Sequence, residues 1–504
     1  MSGKYTVNTD FVEVFEKVID KNEEKYKFVH TLAWGDFFDI VETSVDHIKI
    51  DSVKYIEQVN GTIKPEEFTG YIKLNKDEQK LSPDEIYILK EQSEVLKLNF
   101  IDVQQGDASV IETADGKVIL VDGGDNQLFA RYLAGRYRDT SPTDPKNIDC
   151  IIVTHGDSDH FSGLAKIEQS TRHQKKYKRI FISPKRVFHN GIIKRKSDHP
   201  SVKAGVETLL GKMDSEGFLT SIYDSLLSVP DSEMNSEFLK WKRALEKWDT
   251  DAAIEFRAIH SSDADAFSFF NTNDLKIDIL GPIRSDKGNT KRLRAFTSSN
   301  KTKKDGYMNM NCHSSHTING HSVVFRLKYR NFSCLFTGDL NAESSSFLLD
   351  NLKDSCFSST VLKVPHHGSG DFDNNFLKAV SPAISIISSG DEETRKEYIH
   401  PRANLVSALG RYSSSETPLI FITELVAFFK KEGESIKKED LKKDPSERTE
   451  FFGFSRSAYG SVKIRTNGKR LLVYTNSGKN RMKEAYCFSI DAKGQLTPEE
   501  IRKI

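Results

Sequence analysis

The stretch T-H-G-D-S-D-H, Thr154 to His160, directly follows the apolar run Cys150-Ile151-Ile152-Val153. A short apolar run of this kind predicts a buried strand, and the polar residues then lie on the turn that leaves it. Imidazole and carboxylate together are ligands for a divalent cation. His155, Asp157, Asp159 and His160 crowd round one point. A single zinc ion rarely uses four ligands so close together, whereas a pair of ions about 3.5–4 Å apart would. Ser158 or Asp159 can also cap a helix that starts near His160, but capping calls for no histidine.

Other polar clusters follow apolar strands in the same way. The run Phe332–Thr337 ends in Gly338-Asp339, a natural place for a carboxylate that bridges two ions. The run Thr360–Val364 ends in Pro365-His366-His367-Gly368-Ser369, and His400 stands in Y-I-H-P-R. Alone, a G-D after a strand is only a turn, and a histidine pair is as often surface as ligand. Together and in this order they predict strand ends converging on one metal-binding edge.

The chain of 504 residues is long for one core, so two domains plus insertions are expected. Net charge is zero and names no partner by itself. Its distribution is uneven. Residues 1–93 hold 12 Lys, no Arg and 19 Asp plus Glu; residues 172–196 hold ten Lys plus Arg and no acid. The cysteines at 150, 312, 334, 356 and 487 are scattered and odd in number, which points to free thiols in a reducing compartment rather than a disulfide frame. The start M-S-G-K-Y-T-V-N-T-D has no apolar signal segment, and no run of 18 apolar residues exists. The expectation is a cytoplasmic protein with no membrane span.

Along the chain, residues 11–27 place Phe11, Val14, Phe15 and Val18 on one stripe, which predicts a helix. Residues 46–74 alternate like strands, and Ser82-Pro83-Asp84-Glu85 opens a short helix. Residues 1–93 therefore read as a small acidic α+β domain. Strands are predicted at 96–103, 108–113 and 117–122, with a helix from Asn126 to Tyr137. Helices are expected within 201–248. Further strands fall at 275–281, 322–328, 332–337, 360–364 and 383–388, with a hairpin at 461–466 and 471–475. The mixed-charge segment 429–449 reads as an exposed loop.

The set F-I-D-V-Q-Q-G-D-A, I-L-V-D-G-G, T-H-G-D-S-D-H-F-S-G, L-F-T-G-D-L, V-L-K-V-P-H-H-G-S and H-P resembles the metallo-β-lactamase superfamily. More closely, it resembles the ComEC-type branch, whose hydrolase domain ends the bacterial DNA-uptake channel and also stands alone. The resemblance covers about 96–410 and the strands near 460–475. It implies an α/β fold, a four-layer αββα sandwich spanning 94–504, here with a basic and helical insertion over about 166–274. It also implies two divalent metal ions, Zn, Mn or Mg, at the sandwich edge. Position by position, His155 and Asp157 match first-metal ligands, Asp159 and His160 second-metal ligands, and Asp339 the bridging carboxylate. His366 or His367 completes the second site. Asp122 matches the aspartate that braces the metal turn, and Asp107 a residue near the site. The first-metal histidine usually found before the bridging aspartate is missing. His173, His189, His199, His260, His313, His316 and His321 lie in that interval, none in a recognisable motif. Asp157 stands where most of the superfamily has histidine. A carboxylate is a harder ligand and tilts the site toward Mn or Mg, and the swap points to the ComEC-type branch and phosphodiester substrates.

The chemistry expected is two-metal hydrolysis, with Asp159 or another carboxylate holding the proton of the attacking water and Lys363, Ser369 and His400 as candidates for phosphate contact or leaving-group protonation. Basic residues with interleaved aromatics suit a polyanion, so Lys175, Lys176, Lys178, Arg179, Lys185 and Arg186 are candidate nucleic-acid contacts. The segment 284–304, with eight cations and one acid, is a second such stretch. The plain alternative makes I-F-I-S a buried strand flanked by solvated lysines. The first functional reading is a phosphodiesterase or nuclease acting on DNA, by family analogy an effector in bacterial defence. The second is a hydrolase of a cyclic nucleotide, a phosphorylated metabolite or a lactone. The third gives 1–93 an interaction role: docking a protein partner, sensing a signal, or autoinhibiting. DNA uptake does not carry over, because the channel proteins have many transmembrane helices.

Overall fold

The computed structural model describes residues 3–58, 63–76, 79–196, 206–251, 253–296, 314–390, 400–429, 453–458, 460–477 and 481–503. Residues 430–449 of the expected loop, His199, His313 and residues 297–304 of the second basic segment lie outside these. The fold is mixed α/β and is built on two large sheets.

The first sheet has ten strands, ordered Glu255–Ala258, Arg186–His189, Cys150–Ile152, Val118–Asp122, Ala108–Glu112, Leu96–Phe100, Ser461–Thr466, Arg470–Ser477, Arg481–Ile490 and Leu496–Glu499. The second has six, ordered Leu275–Gly281, Val324–Tyr329, Phe332–Phe336, Val361–Lys363, Ile384–Ile387 and Leu419–Ile422. The sheets pack face to face through one apolar cluster. Leu98, Phe100, Ile119, Val121 and Ile152 come from the first; Ile277, Phe325, Phe336, Val361 and Ile386 come from the second. These strands are buried on both faces, which is why they read as continuous apolar runs. Phe336 stacks on Phe325 (centroids 4.6 Å) and on Phe100 (5.7 Å), pinning the two sheets together.

Helices cover both outer faces. Phe129 and Leu133 of Leu128–Arg136, Phe161 and Leu164 of Ser158–Ser170, and Trp241 and Leu245 of Ser236–Asp251 pack on Val110, Leu120 and Ile151. Leu348, Phe376, Leu377, Leu405 and Leu409, from Ala342–Asn351, Asn374–Val380 and Ala403–Arg411, pack on Leu335, Leu362 and Ile387. Cys150–Ile152 and its neighbours Val118–Asp122 and Arg186–His189 run parallel, as do Phe332–Phe336, Val361–Lys363 and Ile384–Ile387. Their carboxyl ends therefore open on one edge of the sandwich, the usual place for a site in such folds. Among the described residues no helix is long and apolar enough to cross a membrane.

The structure departs from the sequence reading in three places. The helix expected over 11–27 is a hairpin, Phe11–Asp20 paired with Glu23–Ala33. Val12 and Val14 alternate into a buried cluster, a period of two hidden inside the apparent stripe. Lys21 and Asn22 both take positive φ (52° and 66°), the two-residue turn that matches strand twist. The described residues of 3–92 are consequently almost all β: a five-stranded, a three-stranded and a two-stranded sheet, with the short helix Pro83–Ile86 as the α-helical element. That helix starts where Ser82-Pro83 predicts, and the Glu85 carboxylate accepts from the Ser82 backbone N–H at 2.7 Å. Finally, Arg186–His189 and Glu255–Ala258 are strands of the main sheet, so the segment 166–274 is not an insertion throughout. The charge run masks the first of them.

Asp10, fully buried, fastens the N-terminal layer to the core by accepting from the Arg470 guanidinium and the Arg502 backbone N–H. We expect Phe336→Ala, at the contact between sheets, to cost about 3–5 kcal/mol. Chemical denaturation should show it as a lowered midpoint with the slope little changed.

Candidate metal centre

Thr154–His160 leaves strand Cys150–Ile152 as predicted, and Asp157 is the residue that begins helix Ser158–Ser170, in extended backbone (φ −86°, ψ 144°). The turn is held from below by Asp122. Its buried carboxylate accepts from Thr154 N–H (2.8 Å) and Thr154 Oγ1 (2.7 Å), and meets His160 Nδ1 at 2.9 Å. That contact turns Nε2 of His160 toward Asp339 Oδ1, 3.2 Å away. Gly106 lets the loop before Asp107 lie against the same turn: a Cβ there would sit 1.8 Å from the Asp159 carbonyl oxygen.

Asp339 is the centre of the cluster. His155 Nε2 lies 3.9 Å from its carboxylate, His367 Nε2 3.3 Å, and His366 Nε2 3.9 Å. Its backbone N–H donates to Ser322 Oγ at 3.0 Å. His367 Nε2 also lies 3.3 Å from Asp159, and its Nδ1 faces Asp107 (3.4 Å) and the Ser388 carbonyl (3.1 Å). Ligand atoms of His155, His160 and Asp339 lie close enough to share one ion, as do those of Asp159, His160 and His367. His155 Nε2, His160 Nε2, His367 Nε2 and Asp339 Oδ1 are buried without a hydrogen-bond partner. Buried polar atoms are normally satisfied, so four orphans pointing at one spot fit a divalent cation.

Electrostatics say the same. Burial disfavours charge at His160 and His367, yet Asp339 with Asp122, and Asp339 with Asp107, raise these imidazoles well above their ordinary value. Burial raises Asp339, but His367 and His160 more than offset it and hold it well below the usual carboxylate range. Positive charge is thus favoured at this point. His155, buried and beside His160, is pushed down to about 4 and stays neutral. Strain marks the same residues. Asp122, His366 and His367 all take positive φ (56°, 50° and 52°), a conformation that costs about 1–2 kcal/mol per non-glycine residue and collects at functional sites.

The remaining site residues fall in different places. His400 lines a cavity of about 190 Å³ beside Asp157, Asp159, Asp339 and both histidines of the pair. Lys363 does not reach it: buried, it forms an ion pair with Asp107. The expectation of phosphate contact there is corrected to a counter-ion role, because a buried carboxylate needs a partner. Ser369 turns away as well, its Oγ accepting from Asp371 N–H. The cavity wall holds Gln104, Gln105, Ser389 and Gly390 instead.

The predicted nucleic-acid contacts do not rim the centre. Lys175, Lys176, Lys178 and Arg179 lie beyond the carboxyl end of Ser158–Ser170, a helix about 18 Å long that starts at the metal turn. Lys185 pairs with Asp149 and Arg186 with Glu255, at the start of their strand. I-F-I-S enters a buried strand, Ile182–Pro184, and beside it Lys185 and Arg186 are held in ion pairs. In the second segment Arg284, Lys287, Lys291 and Arg292 are likewise paired, with Asp286, Glu216, Asp224 and Asp214.

Two residues near the centre escaped the motif reading. Lys194 forms an ion pair with Asp157 Oδ1. The Asn319 side-chain amide, with its nitrogen toward Asp157, reaches Oδ2 at 3.1 Å. In the sequence Lys194 is one cation in a run of ten, and Asn319 has no motif at all. None of the described histidines between the metal turn and Asp339 joins the cluster. His189 bonds the Asp224 carbonyl and His321 the Arg294 carbonyl.

Residues 101–218 match the metallo-beta-lactamase superfamily. That family model spans less than half of the chain, and includes Asp107, Asp122 and the metal turn. No curated protein matches the chain. Solved structures that match include a candidate metal-dependent hydrolase from Parabacteroides distasonis, at 10% identity over 65% of this chain and 93% of that one, with a TM-score of 0.28.

Because Asp122 orients His160 and Thr154 together, Asp122→Asn should lower divalent-metal affinity about 10–100-fold. Competition with a chelator would measure it. His366→Ala, on a half-exposed ring, should change affinity less than His367→Ala.

Proposed function

We propose that this chain is a metal-dependent hydrolase of phosphodiester bonds, of the ComEC-type branch of the metallo-β-lactamase superfamily and with its αββα layering. The single observation that carries the reading is the set of four unpartnered buried ligand atoms, three imidazole nitrogens gathered around Asp339 Oδ1. Asp159, His160, His367 and Asp339 would hold one ion. His155, Asp157 and Asp339 would hold a second more weakly, because Lys194 competes for Asp157 and no further histidine among the described residues completes the set. A divalent ion there supplies Lewis-acid polarisation of a phosphoryl oxygen and brings the pKa of water to about neutral.

The chain's own residues do the rest. Asp159 and Asp339 open on the cavity, and the Asp159 carboxylate would hold the proton of an attacking water. His400, lowered to about 3 by burial and by the nearby His367 and His366, presents a neutral imidazole to the substrate. Asp107, fixed by Lys363, keeps the His367 ring in place. The aspartate at 157 adds negative charge where most relatives of the superfamily have histidine, which favours Mn or Mg over Zn at the weaker position.

DNA is one substrate this reading admits. A small phosphodiester is the second, and one observation favours it: the cavity is about 190 Å³, and Lys175, Lys176, Lys178 and Arg179 lie at the far end of the helix from it. The test is a panel of bis-p-nitrophenyl phosphate, cyclic nucleotides and single- and double-stranded DNA, with Mn or Zn. Cleavage of a diester is expected, reduced at least about 100-fold in kcat/KM by His367→Ala, a larger loss than removal of an outer-sphere partner produces. Lys175→Glu with Lys178→Glu should leave the small diesters untouched, and loss of DNA cleavage in that variant would favour the nuclease. No cleavage of any diester with either metal would end the proposal.

A further inference from the structure

A second cavity, of about 510 Å³, lies between the N-terminal sheets and the main sheet. It is far from the metal edge: strand Ala108–Glu112 follows Asp107 at the metal centre and carries Glu112, at its other end, to this cavity. Residues His30–Phe38 and Ile50–Tyr55 form one wall; helix Leu128–Arg136 and strand Ser461–Thr466 contribute Arg136 and Lys463 to the other.

The charges around it do not balance. Glu112 is neutralised by Arg136 (Nε to Oε2, 2.8 Å) and accepts from Tyr137 Oη at 2.7 Å. Asp36 faces Arg465 at 3.5 Å, and Asp115 pairs with Lys117. Asp51 is left as the one lining carboxylate without an ion pair among the described residues. Against it stand four lysines with no carboxylate at ion-pair distance among the described residues. Lys90 and Lys97 sit over the Phe37 ring (4.6 and 3.5 Å to its centroid), Lys146 over Tyr137 (5.1 Å), and Lys463 over Tyr474 (5.9 Å). Lys97 is 1% exposed, just behind the Phe37 wall, and its Nζ has no hydrogen-bond partner. Burial pushes Lys97 down to about 7 and Lys463 down to about 8. Ring faces hold an ammonium only weakly, and uncompensated buried charge destabilises a fold. Such an arrangement persists where a ligand brings the missing charge.

We propose that this cavity binds a small phosphate-bearing anion of nucleotide size. Its volume falls in the range of ligand sites, its wall is mostly polar with the Phe37, Tyr137 and Tyr474 rings among the charged groups, and its surplus cations suit phosphate oxygens. The N-terminal layer then has a defined role, since it supplies Phe37 and the wall opposite Lys463. This inference does not depend on the hydrolase reading.

The probes are ADP and inorganic phosphate, each titrated calorimetrically into the full-length His367→Ala protein, whose metal centre is impaired, and followed by thermal unfolding. Saturable binding by ADP is expected, with a raised unfolding temperature. Inorganic phosphate binding as tightly as ADP would identify the phosphate group alone as the ligand; weaker binding would assign the remainder to the aromatic walls. Lys463→Met and Lys146→Met, added singly, should weaken binding at least about tenfold, while Lys463→Met leaves the empty protein as stable or more so. Binding unchanged by both substitutions, or no binding of either probe at millimolar concentration, would overturn the proposal.

Discussion

The buried carboxylate of Asp122 is the constraint on which the metal edge depends. It lies at the end of one strand, in a left-handed conformation, and accepts from the backbone and hydroxyl of Thr154 at the end of the next. The same oxygen that takes the hydroxyl meets His160, so one side chain sets the strand end, the turn and a ligand ring together. Burial pushes its pKa up while His160 opposes that rise. A carboxylate so placed is costly unless every lone pair is used. Here the hydrogen bonds use it, and the imidazole it orients points at Asp339.

From that point outward the centre is a set of strand ends brought together by parallel pairing. Asp339 follows Phe332–Phe336, and His366 and His367 follow Val361–Lys363, which pairs directly with it. Thr337 Oγ1 donates to the Lys363 carbonyl at 2.7 Å and His366 N–H to the Gly338 carbonyl at 3.2 Å. The two turns are therefore one unit, and the left-handed pair His366-His367 is what swings the second imidazole inward. A two-residue motif cannot show which ring turns in. The backbone decides it, since His367 is buried against Asp107 and Asp159 while His366 stays partly exposed.

Legibility in the sequence followed the range of the forces involved. Strands buried on both faces announced themselves as apolar runs, and ligands placed by a turn only a few residues long kept a readable spacing. Where a residue's meaning depends on a distant partner, the sequence misleads. Lys185 and Arg186 read as nucleic-acid contacts, but their partners Asp149 and Glu255 lie 36 and 69 positions away. Lys363 read as a phosphate ligand, yet it answers Asp107, 256 positions earlier. Phe11–Ala33 failed for a local reason: alternation and helical spacing coincide over so few residues that the Lys21-Asn22 turn was the only discriminating signal.

The cations of the basic run also show how this chain distributes charge. Lys194 is drawn to Asp157, so part of the basic run is spent on the metal turn itself. Its neighbours Lys175 to Arg179 stand at the opposite end of the strand layer, where Lys146 pairs in register with Ile182 and also faces the N-terminal cavity. The molecule is thus polar end to end. Carboxylates gather at the metal edge, and lysines without an ion pair among the described residues gather at the other end. A net charge of zero conceals that separation. The sheets keep the two ends apart by about the length of a five-residue strand, roughly 17 Å. The apolar layer between them admits neither water nor salt, so opposite charges at the two ends act on each other with little screening.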